Sequence, residues 1–401
     1  MQPVNINIIN LFMCSVKTSL VQLVLLFSLI TVLHAQQVNK GLTAKEAASE
    51  TKKVINAYVE KYTPTAREDW TSQKIQIGSD SLIFTTKIFG AKPAGGRSMY
   101  ISLHGGGNGP SKMNDGQYKN QQKLYTPAEG VYFVPRSPSN TWNMWHQKPV
   151  DGLLERAIAD AVIMEGVNPN KVYIMGYSAG GDGVYQLAPR LADHWAAAAM
   201  MAGHPGDAQV MNLRNLPFWL AVGEKDGAYN RNGLAKEWSK TLDSLQQTDK
   251  DGFVHDAHIM TGMPHWMNRQ DTISLPWMAK FTRNPYPEKI NWIQDDEVRT
   301  NFYWLAVPEL SAKNKNSVFA SYKGQEISID KNDNEILHVL LNDKMMNLDE
   351  KITVRENGKV IFKGKVIRRK GLIEKTFSER HDENFVFSAG IIIKDAKVTV
   401  M

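Results

Sequence analysis

The stretch that decides the fold reads K-V-Y-I-M-G-Y-S-A-G-G, from Lys171 to Gly181. Residues 172–175 are apolar and β-leaning, which predicts a short buried strand, and the residues after Gly181 can continue as a helix. Between them, Gly176 to Gly180 form the pattern G-x-S-x-G, in which Ser178 occupies a sharp turn between strand and helix. A side chain two positions from the serine on either side would collide with a neighbouring element, so glycine is needed there. The pattern predicts a nucleophilic serine at the N-terminus of a helix.

Composition places the chain among ordinary globular proteins. It has 401 residues, of which 42% are hydrophobic and 22% are charged, enough for one large domain and one small one. The formal charge is +6, but the basic residues are scattered, so we expect no nucleic-acid partner. The single cysteine, Cys14, lies in a segment that we expect to be removed. The mature chain would then have no disulfide and no cysteine nucleophile.

Residues 1–35 have the features of a secretory signal peptide. Lys17 is the only charge, and residues 19–33 are almost all apolar but too few to span a membrane comfortably. Ala35 then supplies a small residue before a cleavage point. We therefore expect a periplasmic or extracellular protein with no stable membrane insertion after cleavage. A retained N-terminal anchor is the alternative.

Predicted strands and helices alternate through the first two thirds of the chain. This alternation indicates a mostly parallel sheet with helices on both faces, in which functional groups gather at the carboxyl ends of the strands. Four polar residues, His104, Ser178, Asp226 and His265, each follow directly after such an end. We predict helices over residues 43–62, 150–167 and 233–245, two strands between 72 and 89, and further strands at 98–103, 131–134, 196–202, 218–222 and 253–260.

The pattern changes after residue 307, where short alternating strands replace the helices. The pair Asn357-Gly358 is a strong signal for a two-residue hairpin turn. We predict an α/β catalytic domain over residues 36–298 and a small all-β sandwich domain over 299–401. The aromatic residues between 291 and 305 could form the apolar surface that attaches the second domain to the first.

A serine hydroxyl needs a base within hydrogen-bond reach and a third group that orients the base. His265 is the histidine that follows the last strand of the predicted main sheet, in a G-M-P-H-W turn, so we predict it as the general base. Asp226, in G-E-K-D-G after the preceding strand, is the predicted orienting acid. Weaker candidates are His255 and His258, which fall within a strand, and the acids Glu224 and Asp256.

The oxyanion formed during acyl transfer needs hydrogen-bond donors aimed at it. We predict the N–H of Ala179 as one donor and the N–H of Gly106 or Gly105, in the H-G-G-G loop, as the second. Glycines let the backbone approach a substrate closely there. We expect His104 to organise this loop through hydrogen bonds and not to transfer protons.

Several residues could line a substrate pocket beside the serine. Trp142, Trp145 and His146 follow the strand that ends near residue 135, where aromatic side chains would suit an aromatic or sugar-linked ester. A tryptophan in such a loop can equally be packed beneath it. Asp182 and His204 could line the same pocket. The acidic and histidine residues show no spacing typical of a metal site, so we predict no metal and no cofactor.

Together, L-H-G-G-G, G-Y-S-A-G-G, G-E-K-D and P-H-W follow the content and order of the α/β-hydrolase fold. Over roughly residues 98–266, the chain resembles secreted esterases of the polyhydroxybutyrate depolymerase and feruloyl esterase group. The resemblance implies a carboxylic-ester hydrolase that works through an acyl-enzyme, with Ser178, Asp226 and His265 as its triad. The expected substrate is a small or carbohydrate-linked ester, with an aromatic group as one option.

Two alternatives stay open at the level of sequence. A serine peptidase of the prolyl oligopeptidase type shares the fold and the order of the triad. The short stretch before residue 98 speaks against it, because those enzymes usually carry a large N-terminal propeller. A non-catalytic binding module on the same fold is the other alternative, and the intact set of triad residues speaks against that.

Overall fold

The computed structural model describes residues 41–401, so the predicted signal peptide at residues 1–35 lies outside the described residues. The main sheet has eight strands in the order β1-β2-β4-β3-β5-β6-β7-β8. Strands β1, β2 and β4 pair antiparallel, and all other neighbours are parallel. The strands are β1 (Lys74–Ile77), β2 (Asp80–Phe89), β3 (Arg97–Leu103), β4 (Gly130–Arg136), β5 (Val167–Tyr177), β6 (Ala197–Met201), β7 (Phe218–Gly223) and β8 (His255–Met260).

Helices cover this sheet. Strands β3, β4, β6 and β7 are almost entirely buried, and β5 is buried from residue 172 onward, as expected for strands covered on both faces. The strand order and the covering helices define the α/β-hydrolase fold, which confirms the predicted fold class. The helices are α1 (Ala44–Ser72), α2 (Ser111–Gln121), α3 (Lys148–Glu165), α4 (Ala179–Arg190), α5 (Arg231–Thr248), α6 (Ser274–Met278) and α7 (Lys370–Arg380).

Helix α1 extends ten residues beyond the predicted end at residue 62 and passes through Pro64. Proline removes a backbone hydrogen bond and normally ends a helix. Here the part after Pro64 is bound to α3, because Asp69 forms a 2.9 Å ion pair with Arg156 and the Trp70 indole donates to Glu165 at 2.8 Å. These tertiary contacts offset the local cost of the proline.

The C-terminal region forms two five-stranded sheets, β10-β11-β14-β17-β18 and β16-β15-β13-β12-β9. The predicted hairpin at Asn357-Gly358 is confirmed, since both residues have positive φ (49° and 77°) between two antiparallel strands. The strands are β9 (Lys289–Ile293), β10 (Asn301–Phe302), β11 (Leu305–Ala306), β12 (Ser317–Lys323), β13 (Glu326–Asn332), β14 (Ile336–Leu341), β15 (Ile352–Glu356), β16 (Lys359–Gly364), β17 (Ala389–Lys394) and β18 (Lys397–Val400).

Two features of this region differ from the prediction. It is not all-β, because helix α7 lies between β16 and β17. Strand β9 pairs with β12, so residues 289–293 belong to a C-terminal sheet although the predicted boundary at residue 299 assigns them to the catalytic domain. The aromatic residues of 291–305 are buried in an apolar cluster that also includes residues of the main sheet. The two regions therefore share one continuous core.

Within residues 41–401, no helix is both long and apolar enough to cross a membrane. The same residues contain no group of three or more His, Cys, Asp or Glu arranged to hold a metal ion.

Candidate active site

Ser178 lies in a strained turn between β5 and α4, with φ 59° and ψ −123°. A positive φ is uncommon for a residue other than glycine and persists only where the surroundings enforce it. The Ser178 N–H donates to the carbonyl oxygen of Met201 at 2.9 Å. A Cβ atom on Gly176 would lie 2.2 Å from the oxygen of Gly180, and one on Gly180 would lie 2.2 Å from the oxygen of Leu103. Both glycines are therefore required for the turn to form.

The residues predicted as a triad lie within hydrogen-bond distance of one another. The Nε2 atom of His265 is 3.0 Å from the Ser178 Oγ, and its Nδ1 atom is 2.7 Å from Asp226 Oδ2. The Asp226 side chain is buried, whereas the His265 side chain is 42% exposed and open to a substrate. With the Nδ1 proton donated to Asp226, the Nε2 atom is free to accept the serine proton. The arrangement has the geometry needed for nucleophilic catalysis.

The weaker candidates for base and acid have other partners. His255 bonds to an acidic side chain of α5 at 3.1 Å, and the Nε2 of His258 lies 3.0 Å from Asp256 on the same strand. Glu224 accepts the backbone N–H of Gly262 at 2.7 Å and so supports the loop that carries His265. None of these four side chains joins the hydrogen-bonded chain at Ser178.

The predicted oxyanion donors border the serine. Ala179 is the first residue of α4, and the amides of a first helical turn have no partner within the helix. The backbone of Gly105 passes so close that a Cβ there would lie 3.1 Å from the Ser178 Cβ. Gly106 has φ 112°, and a Cβ on it would lie 2.3 Å from Asn114 Oδ1. Gly106 and Ala179 both line the cleft described below.

The glycine loop is held by His104 and Asn114. The Nδ1 of His104 donates to the oxygen of Gly105 at 2.6 Å, while its Nε2 accepts the N–H of Ser137 at 3.0 Å. Burial lowers the pKa of His104 to about 4, so the ring is neutral and keeps this tautomer. Asn114 of α2 accepts the N–H of Gly107 at 2.7 Å. Sequence reasoning missed Asn114, because one asparagine in a polar helix carries no recognisable signal.

A cleft of about 430 Å³ lies beside the serine. Of the five predicted substrate-binding residues, the structure places four in its lining: Trp142, His146, Asp182 and His204. Trp142 is 66% exposed and meets the His146 ring edge-on at 5.6 Å. Burial raises the pKa of Asp182, and its Oδ1 accepts the N–H of His204 at 2.6 Å. The lining of the cleft thus includes polar groups and one exposed indole.

The prediction for Trp145 is wrong. Its side chain is fully buried, and its indole N–H donates to the oxygen of His104 at 2.9 Å. A Cβ on Gly183 of α4 would lie 2.6 Å from the Trp145 Cβ, so the tryptophan is packed against that helix. Trp145 supports the glycine loop from below and does not line the cleft.

Two further residues of the cleft, Tyr229 and Arg231, were missed. The Tyr229 ring is 77% exposed and lies over the Arg231 guanidinium at 4.8 Å. The Nη1 of Arg231 is 3.9 Å from Asp226 Oδ1, so a positive charge that lines the cleft also lies beside the predicted acid. A signal was available, because both residues follow the predicted acid within five positions, at the carboxyl end of β7.

No protein-family model matches the chain, and no curated protein matches it. Similar solved structures include a thermostable esterase (17% identity, 54% of this chain and 64% of that chain covered, TM-score 0.39). A ferulic acid esterase aligns at 13% identity over 52% of this chain and 96% of its own, with a TM-score of 0.36. A phospholipase/carboxylesterase from Dyadobacter fermentans aligns at 16% identity over 50% of this chain and 98% of its own, with a TM-score of 0.34. The fold assignment rests on the strand order and the serine turn described above.

Proposed function

We propose that this chain is an exported serine carboxylic-ester hydrolase that acts through an acyl-enzyme. The observation that carries the proposal is the hydrogen-bonded chain from Ser178 Oγ through His265 to the buried Asp226, at 3.0 and 2.7 Å. A serine needs such a base to become a nucleophile at neutral pH. The strained backbone of Ser178 holds the hydroxyl in place between the base and the glycine loop.

The same residues supply each step of ester hydrolysis in this proposal. His265 takes the Ser178 proton as the oxygen attacks the ester carbonyl, and then gives that proton to the departing alcohol. Asp226 stabilises the imidazolium that forms between the two transfers. A water molecule, deprotonated by His265, then attacks the acyl-enzyme and releases the acid. Backbone N–H groups of Ala179 and the glycine loop would stabilise the oxyanion, and each such donor contributes about 100- to 1,000-fold in rate.

The proposed substrate is a small or carbohydrate-linked ester, with esters of aromatic acids included, and the lining of the cleft supports this proposal. Trp142 and Tyr229 present exposed aromatic faces, on which a sugar ring or an aromatic acyl group can stack. Asp182, His204 and Arg231 provide polar groups in the same cleft. Such a mixture of aromatic and polar groups is typical of sites that orient a small polar ligand.

Export is proposed from residues 1–35 alone. Fractionation of producing cells and N-terminal sequencing of the mature protein test it. We expect a periplasmic or extracellular product that begins near residue 36. A full-length product that stays in the membrane fraction would favour the retained anchor.

The activity is tested by incubating the purified protein with p-nitrophenyl acetate, methyl ferulate and a peptide p-nitroanilide. We expect hydrolysis of at least one ester, with Ser178→Ala inactive and Ser244→Ala, at an exposed serine of α5, fully active. Hydrolysis of the amide alone would favour a peptidase. If neither esters nor the amide were hydrolysed, the binding-module alternative would replace the proposed function.

A further inference from the structure

The side chain of Tyr177 connects the nucleophile turn to the loop that carries the base. Tyr177 directly precedes Ser178 and is the last residue of β5. Its hydroxyl donates to the backbone oxygen of His265 and accepts the backbone N–H of Met267 at 3.1 Å. One phenol thus bonds to the backbone on both sides of Trp266.

The His265 side chain itself is bonded to Asp226 at 2.7 Å, and two other supports of this loop act before His265. Lys225 N–H donates to the oxygen of Met263 at 2.9 Å, and Glu224 accepts the N–H of Gly262 at 2.7 Å. These bonds hold the loop as it leaves β8. Tyr177 holds it at His265 itself and two residues later. Because the His265 side chain is 42% exposed, its own packing restrains it only in part.

The phenol is well suited to this role. Burial raises the pKa of Tyr177, so the hydroxyl keeps its proton and remains a donor over the working pH range of an enzyme. The ring is held edge-on to the His265 ring at 5.9 Å and lies 5.7 Å from the Trp266 ring. The Tyr177 side chain therefore links the residue next to Ser178 directly to the loop that carries His265.

We propose that Tyr177 is a positioning residue, which sets the distance between the His265 imidazole and the Ser178 hydroxyl. The inference rests on the proposed function for its catalytic consequence. Removal of the hydroxyl leaves two backbone groups of the loop without their partner, and the loop is then free to move away from the serine. A displacement of about 1 Å in such a site costs on the order of 100-fold in rate.

The test compares Tyr177→Phe with Tyr173→Phe. Tyr173 is a matched control because it lies on the same strand, in the same buried cluster, and its hydroxyl also donates to a backbone oxygen, that of Phe281 at 2.8 Å. With p-nitrophenyl acetate, we expect Tyr177→Phe to lower kcat by about 10- to 100-fold, with KM unchanged within about two-fold. Tyr173→Phe should keep the wild-type kcat, while its Tm falls by about as much as the Tm of Tyr177→Phe.

Two results would overturn the proposal. One is a kcat for Tyr177→Phe within about two-fold of wild type. The other is an equal loss of kcat in Tyr173→Phe, which would show that any buried hydroxyl of this cluster matters equally. Both comparisons of kcat apply when the wild type hydrolyses p-nitrophenyl acetate.

Crystal structures of wild type and Tyr177→Phe separate this proposal from the proposed function. We expect the Ser178 Oγ to His265 Nε2 distance to increase beyond hydrogen-bond range in the variant. An unchanged distance of about 3.0 Å would refute the positioning role, whether or not the wild type hydrolyses esters. Conversely, an inactive wild type with a shifted loop in the variant would refute the esterase and leave the positioning role intact.

Discussion

The substitution Asp193→Asn tests how the C-terminal sheets are attached to the catalytic region. Asp193 lies in the short 3-10 turn that follows α4, and its side chain is 2% exposed. It forms an ion pair with Arg380 of α7, lies 2.9 Å from His194 Nδ1, and accepts the backbone N–H of Tyr303 at 2.9 Å. One carboxylate thus binds the catalytic region and two separate segments of the C-terminal region.

The magnitude follows from this burial and these charges. Burial alone would raise the pKa of Asp193, but the charges of Arg380 and His194 outweigh it and hold that pKa far below its usual range. Asparagine keeps the shape but removes the charge, so the Arg380 guanidinium, itself 6% exposed, loses its closest counter-ion. Breaking a buried pair in this way costs about 3–5 kcal/mol in the free energy of unfolding. For a chain of this size, that lowers Tm by about 4–7 °C.

The assay is thermal unfolding followed by circular dichroism at pH 7, with Asp251→Asn at an exposed position as the control. The kcat of folded Asp193→Asn at 25 °C should equal that of wild type, because the twelve residues of α4 separate Asp193 from Ser178 by about 18 Å. A Tm within about 1 °C of wild type would refute the reasoning, since the buried ion pair would then contribute no net stability.

Three further predictions concern the site and helix α3, which carries Asp160. In Gly180→Ala, the new Cβ would lie 2.2 Å from the backbone oxygen of Leu103. We expect the free energy of unfolding, measured by urea titration, to fall by about 1–3 kcal/mol and kcat to fall at least 100-fold. Near-normal activity would contradict the turn geometry. Trp142→Ala should raise KM for methyl ferulate by about 3- to 10-fold with little change in Tm, because the ring is 66% exposed; an unchanged KM would exclude Trp142 from the substrate contact. Burial raises the pKa of Asp160 to about 8, above its unfolded value of 3.8, so the proton on Asp160 stabilises the folded state and this contribution is lost as pH rises through 8. The free energy of unfolding of the wild type, measured by urea titration, should therefore decline between pH 4 and 8, and Asp160→Asn should make this decline shallower by up to about 1.4 kcal/mol per pH unit. An identical pH dependence in both proteins would refute this prediction.

The fold was predictable from local patterns. The alternation of strands and helices indicates a mostly parallel sheet, and the glycines around Ser178 indicate a sharp turn between strand and helix. Asp226 and His265 could be named because the carboxyl ends of parallel strands meet at one edge. The structure places these three side chains in one hydrogen-bonded chain.

The remaining features depend on contacts between distant segments. Trp142 and Trp145 stand three positions apart in the same loop, yet one is 66% exposed and the other fully buried. No local pattern distinguishes them, because the path of the loop over His104 decides which ring turns inward. Helix α7 was missed for a related reason. Leu372, Ile373 and Phe377 follow helical spacing over too few turns to stand out between strands.

Covalent labelling of the nucleophile tests the central claim most directly. The purified protein and its Ser178→Ala variant are incubated with a fluorophosphonate, and the intact mass and the modified peptide are measured. We predict one adduct per wild-type molecule, located on Ser178, and none on the variant, since only a serine activated by His265 reacts readily. An unmodified wild type, or equal labelling of the two proteins, would contradict the account of a Ser178–His265–Asp226 nucleophile.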